Sequence, residues 1–322
     1  MKSKLGFFLI IEAGDLEHKA LLLVESIREF AGVYRNAPIW VVQARAGRGP
    51  SATTLAKLSE HQAYFVRAEL NCTWRDYGPG NKPYSAAFLE HLLEGSVDTL
   101  VLLDSDMIFV NPPVALELNG EEVIAVRPVD EAHLGSPSDE LPSTYWRGIY
   151  EVCGVDSTRV WDVRSTVDRK LIRAYFNAGL VAARPAAGLF RDWRENMERL
   201  ASRRNDSTIF PSHRERWFLD QSCLAATVLA RTDRRQVRIL DRAYNYPLHK
   251  QPVLSAAERL TSMRELTVIH YHDEFYRTRW RRTIEVPPDY AEWLDKRLPL
   301  PSGARRLQQL RRLGKAMIAA GG

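Results

Sequence analysis

Short apolar runs that alternate with segments of helical periodicity constrain the fold of this chain more than any other feature. The strand-like runs cover residues 5–11, 39–43, 64–68 and 99–103, and the helix-like segments cover 16–30, 51–61 and 84–93. Later strands are predicted at 122–127, 175–183, 237–240 and 266–271, later helices at 188–202 and 217–230, and a loop at 130–142. This βαβα order predicts an α/β fold with a mostly parallel central sheet and helices on both faces.

Composition is that of an ordinary globular protein. The chain has 322 residues, 45% hydrophobic and 26% charged, which is enough to bury a full core in one large α/β domain or in two small ones. The formal net charge of +5 favours anionic partners. We find no nucleic-acid-binding motif, so a nucleic acid is not an expected partner.

The cysteines and the N-terminus predict a cytoplasmic protein. Cys72, Cys153 and Cys223 are odd in number and widely spaced, which fits neither a disulfide framework nor a zinc site and favours a reducing compartment. The apolar run at 5–11 is followed by Glu12 and Asp15 and not by a small-residue cleavage site, so we interpret it as the first strand. No run reaches the roughly 18 apolar residues that a membrane-spanning helix needs.

Two carboxylates stand at the end of the fourth strand-like run, in Asp104-Ser105-Asp106. Alternate side chains of an extended segment point the same way, so Asp104 and Asp106 can both reach one hard cation such as Mg²⁺ or Mn²⁺. Ligand sites in open α/β sheets lie beyond the carboxyl ends of the strands. The alternative is an acidic turn without a ligand, because Asp is a common turn residue.

Three further segments carry polar groups at the ends of predicted elements. They are Asn177-Ala178-Gly179 at the entry to an apolar strand, Asp220-Gln221 near the start of a helix, and His270-Tyr271-His272 at the end of a late strand. Small residues beside an amide let a ligand approach the backbone closely. Each segment also has a structural interpretation; Asp220, for example, can simply complement the helix dipole.

Taken in this order, the four segments resemble the retaining glycosyltransferases of the GT-A fold, most closely the glycosyltransferase family 8-like group. The resemblance covers about residues 5–275. It implies a Rossmann-like GT-A fold and an enzyme, a hexosyltransferase that uses a nucleoside diphosphate sugar. It also implies that Asp104, Asp106 and His270 ligate Mn²⁺ or Mg²⁺.

The same resemblance assigns the remaining site residues. Asn177, Asp220 and Gln221 are the expected catalytic residues, facing the transferred sugar. The residues expected to bind the donor are Ala13, Asp15, Lys82, Asp104, Ser105, Asp106, Ala178, Gly179 and Arg277. Ala13 and Asp15 belong to the segment that holds the nucleotide base and ribose in the family.

The cation that neutralises the diphosphate is left open. Family 8 usually has a Gly and a Lys-Pro-Trp motif after the late histidine, whereas this chain has Arg277-Thr278-Arg279-Trp280 there. Lys82, Arg277 and Arg279 are therefore the candidates, and for Lys82 the alternative is a solvated lysine.

The stereochemical outcome depends on whether a carboxylate base is present. A retaining enzyme that works on one face of the sugar can let the leaving phosphate take the acceptor proton, and we favour this route. Asp130, Glu131 or Asp139 on the predicted loop can instead serve as the base of an inverting enzyme.

The predicted function is therefore metal-dependent transfer of a sugar from a nucleoside diphosphate sugar, with UDP favoured, to a saccharide or glycolipid, with retention. One alternative is an inactive sugar-nucleotide-binding protein. Another is a haloacid-dehalogenase-like phosphatase, whose motif has Thr or Val where Ile108 stands and lies near the N-terminus.

The C-terminal segment differs from the rest in composition. We predict a catalytic domain at 1–298 and a basic amphipathic helical tail at 299–322, in which Leu307, Leu310, Leu313 and Met317 share one helical face beside several cations. This pattern suits the anionic inner face of a membrane and a glycolipid acceptor. A helix packed on the domain has the same period and remains the alternative.

Overall fold

The computed structural model describes residues 3–301. The strands are β1 (Ser3–Ile10), β2 (Ile39–Gln43), β3 (Ala63–Arg67), β4 (Val97–Leu103), β5 (Met107–Phe109), β6 (Ile124–Pro128), β7 (Asp162–Arg164), β8 (Leu171–Arg173), β9 (Phe176–Ala183), β10 (Val237–Ile239), β11 (Tyr246–Pro247) and β12 (Val268–His270). The helices are α1 (Asp15–Phe30), α2 (Ala52–Glu60), α3 (Asn81–Leu93), α4 (Thr144–Cys153), α5 (Leu189–Ser202), α6 (His213–Trp217), α7 (Leu219–Arg231) and α8 (Pro288–Asp295).

Seven strands form the central sheet in the order β10-β6-β9-β4-β1-β2-β3. Strands β4, β1, β2 and β3 are parallel to their neighbours in that series, and β10 is parallel to β6. Strand β9 runs antiparallel between β4 and β6. The structure thus confirms the predicted α/β fold with a mostly parallel sheet.

Helices cover both faces of this sheet because the strands are apolar on both sides. Phe7 and Phe8, neighbours on β1, are fully buried and belong to different core clusters. Phe7 packs in the cluster that contains Leu23 of α1, and Phe8 packs against Phe190 of α5, with ring centroids 6.1 Å apart. Burial on both faces explains why β1 is an uninterrupted apolar run.

A small three-stranded sheet brings the C-terminal half of the chain against the end of β4. Its order is β11-β12-β5, and β5 begins directly after Asp106. Strand β12 pairs antiparallel with β5, so that His270 lies opposite Met107. This register places His270 beside Asp106, although 163 residues of sequence separate the two.

Several elements were not predicted from the sequence, and they are β5, β7, β8, β11, α4 and α8. Tyr145, Trp146 and Tyr150 of α4 are buried in the core. The predicted helix at 217–230 is two helices, α6 and α7, which meet at Phe218. Ser51 caps α2, since its hydroxyl accepts a hydrogen bond from the Thr54 amide at 3.2 Å.

The C-terminal boundary of the described region packs on the domain. Leu300 is buried, and its amide donates to the Phe275 carbonyl at 2.9 Å. The tail residues that carry the membrane hypothesis, including Leu307 and Met317, lie outside the described residues. Within residues 3–301, no helix is both long enough and apolar enough to cross a bilayer.

Candidate active site

The predicted site residues gather where β1 and β4 end and β9 begins. Asp104 follows β4, and its amide donates to the Gly179 carbonyl at 2.6 Å. A Cβ at Gly179 would lie 2.7 Å from Asp104 Oδ2 and 2.8 Å from Asn177 Oδ1. Glycine is therefore required for β9 to approach the carboxylate this closely.

Lys82 joins two carboxylates at this point. Its Nζ lies 2.8 Å from Asp104 Oδ1 and 3.5 Å from Asp220 Oδ2. Burial opposes the charge on Lys82, but the two carboxylates outweigh it and raise the pKa of the lysine. Burial raises the pKa of Asp220, and Lys82 opposes that shift. Lys82 is thus a cation inside the site and not a solvated surface lysine.

Asp220 is fixed by side-chain hydrogen bonds as well as by its position near the start of a helix. It lies in the first turn of α7 and is 3% exposed. The Tyr77 hydroxyl donates to Asp220 Oδ1 at 2.8 Å and accepts from the Asp220 amide at 3.0 Å. The neighbouring Gln221 accepts from the Ala178 amide through Oε1 at 3.4 Å. Gln221 thus lies beside Ala178 near the start of β9, and Lys82 links Asp220 to Asp104.

Asp106 pairs with the late histidine on the other side of the turn. His270 Nε2 donates to Asp106 Oδ1 at 3.1 Å, and Lys19 Nζ lies 3.8 Å from Asp106 Oδ2. Burial opposes ionisation of both partners, but their mutual attraction outweighs it, so the pKa of Asp106 is lowered and that of His270 is raised. Lys19 also lies 3.4 Å from Asp15, whose carboxylate accepts a hydrogen bond from Tyr276.

Asn245 connects the histidine to β9. Its Oδ1 accepts from His270 Nδ1 at 2.9 Å, and its Nδ2 donates to Asn177 Oδ1 at 3.0 Å. Asn245 is buried and has a φ of 50°, a left-handed conformation that asparagine tolerates. The sequence analysis missed this residue, because nothing in the local sequence indicates its contact with His270.

Three of these side chains are suited to hold a metal ion. The ligand atoms of Asp106, His270 and His272 all lie within 4.8 Å of one another. Asn245 occupies Nδ1 of His270 and leaves Nε2 directed at Asp106, an arrangement typical of metal-binding histidines. His272 stacks on His270 with ring centroids 3.8 Å apart. The predicted ligand set contained Asp104 and omitted His272, although the His-x-His pattern was visible in the sequence.

A pocket of about 520 Å³ opens beside the end of β1, lined in part by Ala13 and Gly14. Arg45 donates to Glu12 through Nε at 2.7 Å and Nη2 at 2.8 Å, and Asn81 Nδ2 donates to Glu12 Oε1 at 3.0 Å. Asn81 precedes Lys82 at the start of α3, so this network fixes Lys82 relative to the pocket. Glu12 and Arg45 were not among the predicted residues.

Ser105 and Arg277, which were also predicted to bind the donor, differ from Lys82 in their contacts and exposure. The Ser105 hydroxyl donates to the Ile10 carbonyl at 2.5 Å, so it fixes the turn to β1. Arg277 and Arg279 are exposed, which leaves Lys82, with a side chain 16% exposed, as the least exposed of the three cations considered.

Two of the three carboxylates considered as an inverting base lie in one pocket, and the third lies elsewhere. Asp130 accepts from Arg127 at 2.8 Å, and Glu131 from Lys250 at 2.7 Å. Both line a pocket of about 320 Å³ that also contains Asn177 and Gln221. Asp139 is exposed and lines a different cavity.

Comparison with solved structures identifies the fold. An active-site mutant of LgtC superposes with a TM-score of 0.52 at 11% identity, covering 93% of this chain and 99% of that one. The galactosyltransferase LgtC in complex with donor and acceptor sugar analogues gives a TM-score of 0.50 at 11% identity, over 89% and 99%. The bifunctional glycosyltransferase WbbM in its apo form gives 0.49 at 16% identity over 92% of this chain, which spans 52% of WbbM. The predicted GT-A fold is confirmed.

Sequence comparison identifies the family. No curated protein matches the chain. The model of the Rhodobacterales glycosyltransferase domain matches residues 7–231, most of the chain, and this range contains Asp104, Asp106, Asn177, Asp220 and Gln221. The chain belongs to the Rhodobacterales glycosyltransferase domain family and is a glycosyltransferase.

Proposed function

We propose that this enzyme transfers a hexose from a nucleoside diphosphate sugar, with UDP as the nucleotide, to a saccharide or glycolipid acceptor. The proposed reaction depends on Mn²⁺ or Mg²⁺. It retains the anomeric configuration, as family 8-like enzymes do. One observation carries the proposal: the Lys82–Asp104–Asp220 group and the Asp106–His270 pair meet at one end of the sheet. The LgtC structure with donor and acceptor sugar analogues, which shares the fold, supports the substrate class.

The divalent ion would be held by Asp106, His270 and His272, whose ligand atoms converge. We keep Asp104 in the proposed set, because it lies two residues before Asp106 directly after β4. A bound ion stabilises the negative charge that develops on the leaving nucleoside diphosphate.

Lys82 is the proposed protein cation for the same diphosphate. It already lies between two carboxylates at the end of β4, and its raised pKa keeps it charged at neutral pH. The pocket beside Ala13 is the proposed position of the base and ribose. Asp15 does not line this pocket, and its carboxylate contacts Lys19 and Tyr276. Glu12 and Arg45 support that pocket through their paired hydrogen bonds.

Retention is supported by the surroundings of the transferred sugar. Asn177, Gln221 and Asp220 surround the start of β9 and offer polar groups to a sugar with developing positive charge. The two nearby carboxylates that would serve an inverting enzyme, Asp130 and Glu131, are each paired with a cation. The acceptor hydroxyl is therefore proposed to lose its proton to the leaving diphosphate.

A screen of nucleotide sugars tests the proposal. Purified protein is incubated with each donor, with Mn²⁺ or with excess chelator, and hydrolysis and transfer are followed. We expect Mn²⁺-dependent hydrolysis of at least one UDP-sugar and a product with the donor's anomeric configuration by NMR. Binding of nucleoside diphosphate without turnover of any donor would contradict enzymatic transfer, and an inverted product would contradict retention.

We also propose that residues 1–298 are the catalytic domain and that residues 299–322 bring it to an anionic membrane carrying the glycolipid acceptor. The basic amphipathic composition of the tail supports this. Co-sedimentation with anionic vesicles tests it: the full chain should bind, and a chain ending at Pro301 should not. Equal binding of both would contradict it.

A further inference from the structure

A second groove lies next to the proposed active site and has no assigned role. Its volume is about 710 Å³, larger than that of the pocket beside Ala13. The residues that line it come from two segments, residues 72–77 before α3 and residues 204–217 around α6. The lining includes three arginines and three aromatic residues, and we refer to the site as the arginine groove: Trp74, Arg75, Tyr77, Arg204, Arg216 and Trp217.

The arginine groove is positively charged. Arg75, Arg204 and Arg216 are exposed, and no carboxylate in the described residues 3–301 forms an ion pair with any of them. Asp76 is the acidic member of the lining. Free guanidinium groups that converge on a cavity are suited to carboxylate or phosphate groups, which they bind in bidentate fashion.

Aromatic rings complete the lining. Trp217 is 45% exposed and stacks on His213 with ring centroids 5.9 Å apart, while Trp74 lies 6.0 Å from Tyr77. An exposed tryptophan in a cavity offers an apolar face to the C–H groups of a sugar ring, and its amphipathic character favours ligands that are partly polar. Aromatic and cationic groups together favour a charged saccharide over a simple anion.

Tyr77 connects the arginine groove to the reacting centre. Its ring lines the groove, and its hydroxyl donates to Asp220 Oδ1 at 2.8 Å and contacts the Trp217 carbonyl at 2.9 Å. Arg75 lines both the groove and the pocket beside Ala13. The groove is therefore one side chain away from Asp220 and next to the proposed donor pocket.

We propose that the arginine groove binds the acceptor and that the acceptor is a saccharide with a carboxylate or phosphate group. This inference rests on the proposed function and specifies its acceptor. The acceptor hydroxyl oxygen forms a bond to the anomeric carbon, the bond from that carbon to the donor phosphate breaks, and the hydroxyl proton goes to the released diphosphate. Arg204 and Arg216 hold the anionic group, while Trp217 contacts the sugar ring.

Direct binding tests the proposal without requiring turnover. Calorimetric titration of the full chain uses trigalacturonate, glucose 6-phosphate and neutral maltotriose as probes. We expect the anionic probes to bind more tightly than maltotriose, and we expect their affinity to fall when salt is added. The relative affinities of the first two distinguish carboxylate from phosphate. Equal affinity for the neutral probe, or no binding of either anionic probe, overturns the proposal.

A matched pair of variants locates the binding. The double variant Arg204→Gln/Arg216→Gln should bind the anionic probe about 10-fold or more weakly than the wild type, since each lost charged hydrogen bond lowers the affinity by that order. Arg214→Gln is the control, because Arg214 is an exposed arginine of α6 that does not line the groove. Equal effects of the two variants, or no effect of the double variant, would overturn the assignment.

Kinetics separate this proposal from the proposed function. With a donor that the wild-type enzyme hydrolyses, the double variant should raise the KM for the anionic acceptor with a smaller change in kcat. If only the KM for the donor rises, the groove binds the donor, and the proposal that it binds the acceptor is rejected. If the wild type hydrolyses no donor, the proposed function fails, whereas the binding titrations still decide whether the groove takes anionic saccharides.

Discussion

Asn245 Oδ1 accepts a hydrogen bond from His270 Nδ1 at 2.9 Å, inside the core of the protein. The contact fixes the ring of His270 so that Nε2 is directed toward Asp106. Such contacts commonly set the metal affinity of a histidine ligand. Asn245 is therefore a positioning residue for the proposed metal site.

Removing the Asn245 side chain should weaken metal binding more than it weakens the fold. Asn245→Gly keeps the left-handed backbone at low cost. We expect Mn²⁺ affinity to fall by about 10- to 100-fold, with activity recovered at high Mn²⁺. Asn245→Asp keeps the accepting oxygen and serves as the control. Mn²⁺ titrations that show equal affinity for Asn245→Gly and the wild type would contradict this role.

Replacing Lys82 should affect both stability and activity. Lys82→Met leaves Asp104 and Asp220 without their shared cation, which should cost about 3 kcal/mol in the free energy of unfolding and abolish turnover. Lys57→Met, at an exposed position of α2, should have almost no effect. Urea unfolding measures the stability of both variants, and donor hydrolysis measures their activity. A Lys82→Met protein as stable and as active as the control would contradict the role of Lys82 as the cation of the site.

Asp220 should behave as an active-site carboxylate and not as a helix-dipole charge. Asp220→Asn should lower the rate by about 100-fold or more, because the polar groups around the transferred sugar act most strongly in the transition state. Asp192→Asn, in the first turn of α5, should change stability by about 0.5 kcal/mol and leave the rate unchanged. The rates and melting temperatures of the two variants are compared to decide between the two roles of Asp220. If Asp220→Asn, like Asp192→Asn, leaves the rate unchanged, Asp220 only complements the helix dipole.

Glu17 should make the fold sensitive to acid. It accepts hydrogen bonds from the Gly14 and Ser51 amides and the Thr54 hydroxyl. Burial opposes its charge, but these hydrogen bonds lower its pKa from 4.5 to about 2. The ionised group therefore stabilises the fold fully above its usual pKa, and this contribution is lost as pH falls toward the lowered pKa.

The test compares urea unfolding of Glu17→Gln with that of the wild type at pH 6 and pH 3. The variant should be less stable by about 1 kcal/mol at pH 6, and the difference should shrink at pH 3. Glu60→Gln, at the exposed end of α2, is the control. A constant difference between Glu17→Gln and wild type at both pH values would show that the hydrogen bonds do not depend on ionisation.

The sequence predicted those parts of the site that lie at strand ends. Asp104 and Asp106 follow an apolar strand, where ligand sites of α/β sheets are expected. Asn177 enters another strand and meets them because β9 runs antiparallel to β4, which the βαβα pattern does not predict. The break between α6 and α7 was not predictable from periodicity, because both helices are continuous with the same apolar pattern around Phe218.

The residues that the sequence analysis missed act through tertiary contacts. Tyr77 reaches Asp220, Glu12 reaches Arg45 and Asn81, and Asn245 reaches His270, each across a large separation in sequence. No local pattern distinguishes such a tyrosine or asparagine from the others in the chain. His272 differs, because its spacing from His270 was visible and only its convergence on Asp106 required the structure.

Asp106, His270 and His272 are proposed to hold a divalent ion that sugar transfer requires. The most direct test measures UDP-sugar hydrolysis by metal-stripped wild-type and Asp106→Asn proteins during a Mn²⁺ titration, with melting temperatures recorded alongside. We predict that Mn²⁺ restores hydrolysis and raises the melting temperature of the wild type, and does neither for Asp106→Asn. Full activity of the wild-type enzyme in excess chelator would contradict the claim.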